Sequence, residues 1–422
     1  MVRQRIEGQR QQDQEPNSLA QINIQVRQPK RVLLVEPAYK VKYPPLGLMK
    51  ISSYHKQRGD EVVFYRGTRA AVRDQKWDII YITTLFTYQW NIVIRTIRFY
   101  QRNKHACDIK VGGILASLLA EDLEEETGIK PHVGLWEEVD RLPPDYKLFE
   151  GVYEYRVNDA SIGYTTRGCI RRCPFCAVPQ LEPEYVPYIP LKEQIDPSKK
   201  DLLLLDNNVL ASPEFPKIIA EIKECGFYKG AKFNGKLRYI DFNQGVDARL
   251  LTEDRMELLS QIAVFPLRIA FDDIRMKKLY IEKVRLAKKH GIKRLSNFIL
   301  YNFNDTPEDF YERLRINIEL NEELGSSIFS FPMRFIPLDA KDRKHVDNPH
   351  WTKKQLRGVQ CILHATHGVV GPRRQFFDKA FGRDVQEFKY IIEQPEEHIF
   401  CREKMKSYEA IIGEQSINSR FA

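Results

Sequence analysis

The stretch TTRGCIRRCPFCAVP, residues 165–179, decides how this chain is read. It holds three of the seven cysteines, Cys169, Cys173 and Cys176, separated by three residues and then by two. Three thiolates in so short a loop make a soft metal site. A structural zinc ion takes four protein ligands, yet no Cys or His stands between Cys176 and Cys225. A cubane iron–sulfur cluster usually takes four cysteines, so three would leave one iron without a protein ligand. An open metal position is where substrate or cofactor binds in catalytic sites. The spacing therefore points to a cluster with one open iron. The alternative is a zinc loop completed by a remote residue, in a non-catalytic module that binds nucleic acid or protein.

The rest of the chain sets the context for that loop. At 422 residues it exceeds one ordinary core and implies two or three domains. Hydrophobic content of 43% with 29% charged residues describes a globular chain. No apolar run approaches the roughly 18 residues that span a bilayer, so no membrane association is expected. The opening residues, MVRQRIEGQRQQDQEPNSLAQ, are polar and Gln-rich and lack the apolar centre of a secretory leader. With an odd number of cysteines and no disulfide framework, a reducing cytoplasm is expected. A net charge of +9 permits an acidic partner without requiring one.

Two series of alternating strands and helices follow. Residues 1–28 read as a mobile tail. Residues 29–150 carry the apolar runs RVLLVEP (31–37), EVVFYRG (61–67), DIIYITTL (78–85) and IKVGG (109–113). A helix lies at 44–59, with Leu46, Met49, Ile51 and Tyr54 on its apolar face and Gly59 at its end. This is the pattern of an open parallel α/β sheet. Residues 151–339 repeat the alternation six times, with strands near 161, 201, 239, 267, 296 and 327. Ser212, Thr252 and Thr306 are expected to cap the helices between them. Six units make a partial (β/α)6 barrel. Residues 340–422 read as a helical C-terminal extension.

In such folds the working groups lie where strands end at their C-terminal side. Polar side chains gather there: Asp206 to Asn208, Asn243 and Gln244, Asp272 and Asp273, Asn302 and Asn304, and Arg334. Cys361, His364 and His367 stand at helical spacing, and GPRRQFF (371–377) mixes arginine with aromatic residues as nucleic-acid binders do. Core or surface roles are the simpler expectation for the first set, as for Cys107, Cys225 and Cys401; a cap on the barrel is an equal expectation for the second.

CIRRCPFC resembles the C-x3-C-x-φ-C signature of the radical S-adenosylmethionine superfamily, with Phe175 as its aromatic residue. The resemblance implies a 4Fe-4S cluster held by Cys169, Cys173 and Cys176. It implies that the open iron chelates S-adenosylmethionine, and that one electron from a donor such as flavodoxin or ferredoxin yields a 5′-deoxyadenosyl radical. Carried over by position, Asp206 and Asn208 are candidates for the cofactor's amino group, where the family often has Gly-Gly-Glu. Asp272 and Asp273 stand where others have Glu-Ser. Asn302 stands where a Gly-Leu-Pro-Gly segment packs near adenine, and Asn243, Gln244 and Arg249 follow the third strand.

PPLGLMKISSYHKQRGDEVVFY and IKVGGILAS resemble the cobalamin-binding domain that precedes many such barrels. None of the nine histidines stands in Asp-x-His-x-x-Gly, so a cobalt-ligating histidine is not supported and cobalamin is left open. With cobalamin, methylation is the leading reaction; without it, rearrangement or oxidation. The substrate class stays open between small molecule, peptide and RNA.

Overall fold

The computed structural model describes residues 27–40, 43–151, 155, 157, 159–344 and 348–400. Most of the expected N-terminal tail, and the chain beyond 400 with Cys401, lie outside these residues. The first sheet is built from β1 (Arg31–Glu36), β2 (Glu61–Arg66), β3 (Ile79–Thr84) and β4 (Asp108–Gly113). All pairs are parallel, in the order β2-β1-β3-β4. Alternation along β1 and β3 sorts the side chains to two faces. Leu33, Val35, Ile80 and Ile82 face the helix Trp90–Tyr100. Val32, Leu34, Ile79 and Tyr81 face the helix Leu46–Lys56. Both faces are covered, which is why these strands are nearly pure apolar runs. Each buried aliphatic side chain contributes roughly 1.5–3 kcal/mol.

The helix Leu46–Lys56 buries Met49 of the expected face, with Leu46 and Ile51 packed on the same core, and buries polar residues as well. Its buried residues are Leu48, Met49, Lys50, Ser52 and His55. The polar members have partners: Ser52 Oγ donates to Asp145 at 2.6 Å, and His55 lies between Asp60, at 2.6 Å, and the Tyr81 hydroxyl, at 3.1 Å.

The second sheet comprises β5 (Ala160–Gly163), β6 (Asp201–Leu204), β7 (Ile240–Phe242), β8 (Leu267–Arg268), β9 (Arg294–Tyr301) and β10 (Ser327–Arg334). β5, β6 and β7 form one parallel triplet and β8, β9 and β10 another. Parallel bridges from Ile240 to Val264 and from Val246 to Ile269 join the two. Six parallel strands in chain order form an open, partial barrel.

Full helices follow β6 to β9: Phe215–Glu224, Glu253–Ser260, Lys277–Lys289 and Pro307–Leu324. Thr252 and Thr306 cap two of them as expected, the latter with a reciprocal bond from Asp309. The Ser212 hydroxyl accepts from the Glu214 N–H at 3.1 Å, in the turn that leads into its helix rather than at the cap position itself. A 3-10 turn at Val209–Ala211 precedes it, and the helix starts at Phe215 with Glu214 before it. No full helix follows β5 either. The crossover there is the cysteine loop, the single turn Val178–Leu181 and a 3-10 turn.

Beyond β10 lie the helices Lys353–Ala365, Arg374–Phe381, Val385–Ile392 and Glu396–Phe400. They share a core with Ile299, Tyr301, Phe310 and Leu314 of the barrel. Phe376 and Phe377 of GPRRQFF are in that core, and Arg374 pairs with Glu322 at 2.7 Å, so this segment is spent on packing. Cys361 is buried in the same core, where it acts as a small apolar residue.

Candidate functional site

The cysteine loop leaves β5 under tight control. Asp206, at the end of β6, is buried, and its Oδ1 accepts from the backbone N–H groups of Thr165 and Thr166 at 2.9 and 2.6 Å. The same oxygen accepts from both threonine hydroxyls, at 2.6 and 2.8 Å. Burial pushes the Asp206 carboxyl up, against these hydrogen bonds. Gly168 then adopts φ +74°, and a Cβ there would run into the Glu184 carbonyl. Glycine is required at this approach. Its N–H donates to Glu182 Oε2 at 2.7 Å, which also accepts from Asn207 at 3.1 Å.

The first thiol has two nitrogen donors. Cys169 Sγ accepts from the Arg171 backbone N–H at 3.4 Å and from Asn208 Nδ2 at 3.7 Å. The Arg249 guanidinium acts on Cys173 electrostatically. Burial pushes the Cys173 and Cys176 thiols up, which disfavours unpaired thiolates here. All three thiols are half-buried and reduced. Among the described residues no three His, Cys, Asp or Glu side chains converge as ligands of one ion must. Ligands of a cubane each hold a different iron and are spread accordingly. The donor set, three free thiols in one short loop, fits that arrangement.

The other strand ends close around the loop. Arg249 pairs with Asp247 at 2.7 Å, and Asp247 also accepts from Arg171 Nε at 2.9 Å. Asp272 is close enough to Cys173 and Cys176 to act on both electrostatically, and burial pushes its carboxyl up to about 6. Phe175 meets Phe303 edge-on at 5.4 Å, and Phe303 meets Phe335 at 4.8 Å, so the loop rests on the ends of β9 and β10. Asn302, at φ +65°, donates to the Phe335 carbonyl at 3.3 Å.

Three buried acceptors at this end have no partner: Asp206 Oδ2, Asn208 Oδ1 and Asn302 Oδ1. Such atoms are costly unless a ligand or water meets them. Other candidates are engaged elsewhere. Asp273 accepts from the Arg275 backbone at 2.8 Å and pairs with its side chain. Asn243 donates to Tyr43 of the first region at 3.0 Å, and Gln244 is exposed. Asp247, Glu182 and Phe303 were not anticipated. Asp247 had a signal, since an Asp two residues before Arg249 in VDARLL is a cap-type position.

The first sheet adds a cavity of about 330 Å3, lined among others by Lys50, Tyr81, His132, Trp136 and Asp140. Buried Lys50 contacts the Asp140 carbonyl and carboxylate and the Tyr188 hydroxyl. Asp140 continues to Arg167 at 3.6 Å, and Arg167 to Glu182 at 3.3 Å. A polar chain thus joins the cavity wall to the residue before Cys169. The turn Ile114–Leu118, after β4, packs on Val178–Leu181, so the C-terminal edge of the first sheet meets the barrel mouth.

No family model matches the chain, and no curated protein matches it. Solved structures do. The radical S-adenosylmethionine methyltransferase TsrM from Kitasatospora setae, with cobalamin and a 4Fe-4S cluster bound, aligns with a TM-score of 0.54 at 16% identity, covering 74% of this chain and 77% of that one. Its form with tryptophan substrate and a S-adenosylmethionine analogue gives the same score and identity, over 74% and 75%. The cobalamin-dependent radical enzyme OxsB aligns at 0.48 and 13% identity, over 68% and 51%. At such identities the likeness speaks for the fold: this chain has the fold of a cobalamin-binding-type α/β domain joined to a partial radical S-adenosylmethionine barrel.

Proposed function

We propose that this chain is a radical S-adenosylmethionine enzyme whose cluster is held by Cys169, Cys173 and Cys176. The observation that carries the reading is a loop of three half-buried free thiols, anchored by Asp206 on Thr165 and Thr166 and, at Cys169, by N–H···S bonds from Arg171 and Asn208. Such bonds favour thiolate ligands and tune the potential of what they hold. When bound, the cluster supplies one electron for cleavage of S-adenosylmethionine to a 5′-deoxyadenosyl radical. The chain's own groups do the rest. Asp206 fixes the start of the loop with one oxygen and offers the other to a cationic group, as the cofactor's amino group is. Asn208 and Asn302 offer acceptors from neighbouring strand ends. Phe175, Phe303 and Phe335 wall one side and exclude water.

Both TsrM structures carry the name methyltransferase, and methyl transfer is the reading adopted here. The cavity beside the first sheet and the meeting of its edge with the barrel mouth fit an added cofactor of cobalamin's kind. No side chain is assigned to cobalt.

The test is anaerobic. The protein is reconstituted with iron and sulfide and given dithionite and S-adenosylmethionine, and 5′-deoxyadenosine is quantified against Cys173→Ala. Expected are about four iron and four sulfide per chain, with product lost in the variant. A protein that retains zinc and assembles no cluster would overturn the reading. Incubation with hydroxocobalamin and gel filtration should leave a bound cobalamin spectrum.

A further inference from the structure

We propose that Lys50, in the first region, is a positioning residue for the Cys169 limb of the cysteine loop, which it holds by gripping the neck of that loop. The inference rests on the cluster reading above for what the loop carries, and on geometry for how the loop is held.

The neck has two strands. Thr166 and Arg167 pair antiparallel with Pro187 and Val186, and the Tyr188 N–H donates to the Thr165 carbonyl at 3.0 Å. One carboxylate from the first region touches both strands. Asp140 pairs with Arg167 at 3.6 Å on one, and accepts from the Tyr188 hydroxyl at 2.8 Å on the other. Lys50 holds that carboxylate in place. It pairs with Asp140 at 3.5 Å, donates to the Asp140 carbonyl, and donates to the Tyr188 hydroxyl at 2.9 Å. Beyond Arg167 the row continues to Glu182 at 3.3 Å, whose other oxygen accepts from the Gly168 N–H at 2.7 Å. Lys50, Asp140, Arg167 and Glu182 thus alternate in charge and end on the backbone next to Cys169.

The row is buried where it matters. The Lys50 side chain is 3% exposed and that of Arg167 7%. Exposed ion pairs contribute little, but removing one member of a buried set leaves its neighbours unmatched. Lys50 and Arg167 repel each other across Asp140, so the order of the row depends on every member. The first region meets the other limb of the loop differently, through the packing of Ile114–Leu118 on Val178–Leu181. Lys50 and Asp140 also line the cavity of the first sheet. The wall of that cavity and the neck of the loop are therefore one polar unit.

The test is hydrogen–deuterium exchange, read by mass spectrometry on the full chain before cluster loading. Amides of Thr165 to Gly168 are compared with those of β1 in the same sample. The variants are Lys50→Met and Asp140→Asn. Lys50→Arg restores the charge, and the adjacent cavity gives the larger side chain room. Expected for Lys50→Met and Asp140→Asn is neck exchange about 2- to 30-fold faster relative to β1, the range for a residue acting through a polar network. Lys50→Arg should keep the wild-type ratio. The double variant Lys50→Met/Asp140→Asn should match the larger single effect, because both changes cut the same row. A wild-type ratio in both single variants would overturn the grip, as would effects that add in the double variant or an arginine variant as fast as the methionine one. A general loss of stability speeds both sets of amides together, leaves the ratio unchanged and so counts against the proposal. Loading with iron and sulfide then separates the two readings. A wild type that keeps zinc and assembles no cluster overturns the cluster reading, while the exchange ratio still decides the role of Lys50.

Discussion

The two sheets treat their buried polar groups differently. In the first region, among the described residues, no buried side-chain nitrogen or oxygen lacks a partner. Glu36 accepts from the Tyr155 hydroxyl at 2.7 Å and pairs with Arg66 at 3.1 Å, and His55 is held at both ring nitrogens. At the barrel mouth Asp206, Asn208 and Asn302 each keep one unmet acceptor, within one turn of chain of a strand end. Satisfied polar groups rigidify a fold. Unmet ones destabilise it by about 1–3 kcal/mol each and are tolerated where a ligand completes them. The strands differ in the same sense. Those of the first sheet are six residues long and continuously paired, whereas β7 and β8 are short and their neighbours meet through single bridges. The first sheet is a finished scaffold, whereas the barrel mouth keeps unmet acceptors.

The largest expected effect that tests this contrast comes from Gly168→Ala. The substitution strains a positive φ and meets the Glu184 backbone, which must move and carry Cys169 with it. Iron content after reconstitution should fall by more than half, with a loss of roughly 2 kcal/mol or more in stability. Full iron loading with an unshifted melting temperature would mean the loop is not held as described.

Asp206→Asn comes next. It keeps an oxygen for Thr165 and Thr166 but removes the charge from the unmet one. S-adenosylmethionine binding, measured by equilibrium dialysis, should weaken by about 10- to 100-fold, the worth of a charge-assisted bond, with little change in folding. Loss of stability with unchanged binding would make Asp206 a clamp and nothing more.

The smallest effect probes the satisfied side. Burial raises the Glu36 carboxyl to about 7, against the bonds from Tyr155 and Arg66. A raised folded-state value means that the protonated form is favoured by folding. The contribution is full below the ordinary value near 4.5 and is lost as pH rises through about 7. Urea midpoints at acid and neutral pH should therefore converge more in Glu36→Gln than in wild type. Identical slopes would show that Arg66 keeps Glu36 ionised throughout.

Much of this was legible in the sequence because it is local. Apolar runs of the right length located ten strands, turn and cap residues located two helix starts, and thiol spacing singled out the loop. What the sequence alone could not supply are contacts between distant segments. The clamp of Asp206 on Thr165 and Thr166, the ion pair of Arg171 with Asp247 and the edge-on packing of Phe175 on Phe303 each join residues more than 35 positions apart. Helical periodicity found Leu46, Met49 and Ile51 of Leu46–Lys56 but not Ser52 and His55, which are polar and whose burial only tertiary partners make tolerable. GPRRQFF looked like a binding strip because composition does not reveal that its aromatic rings fill a core. Sequence determined which residue types recur at which spacing; tertiary structure decided which of them meet, because a hydrogen bond or ring contact depends on chain closure that no local pattern encodes.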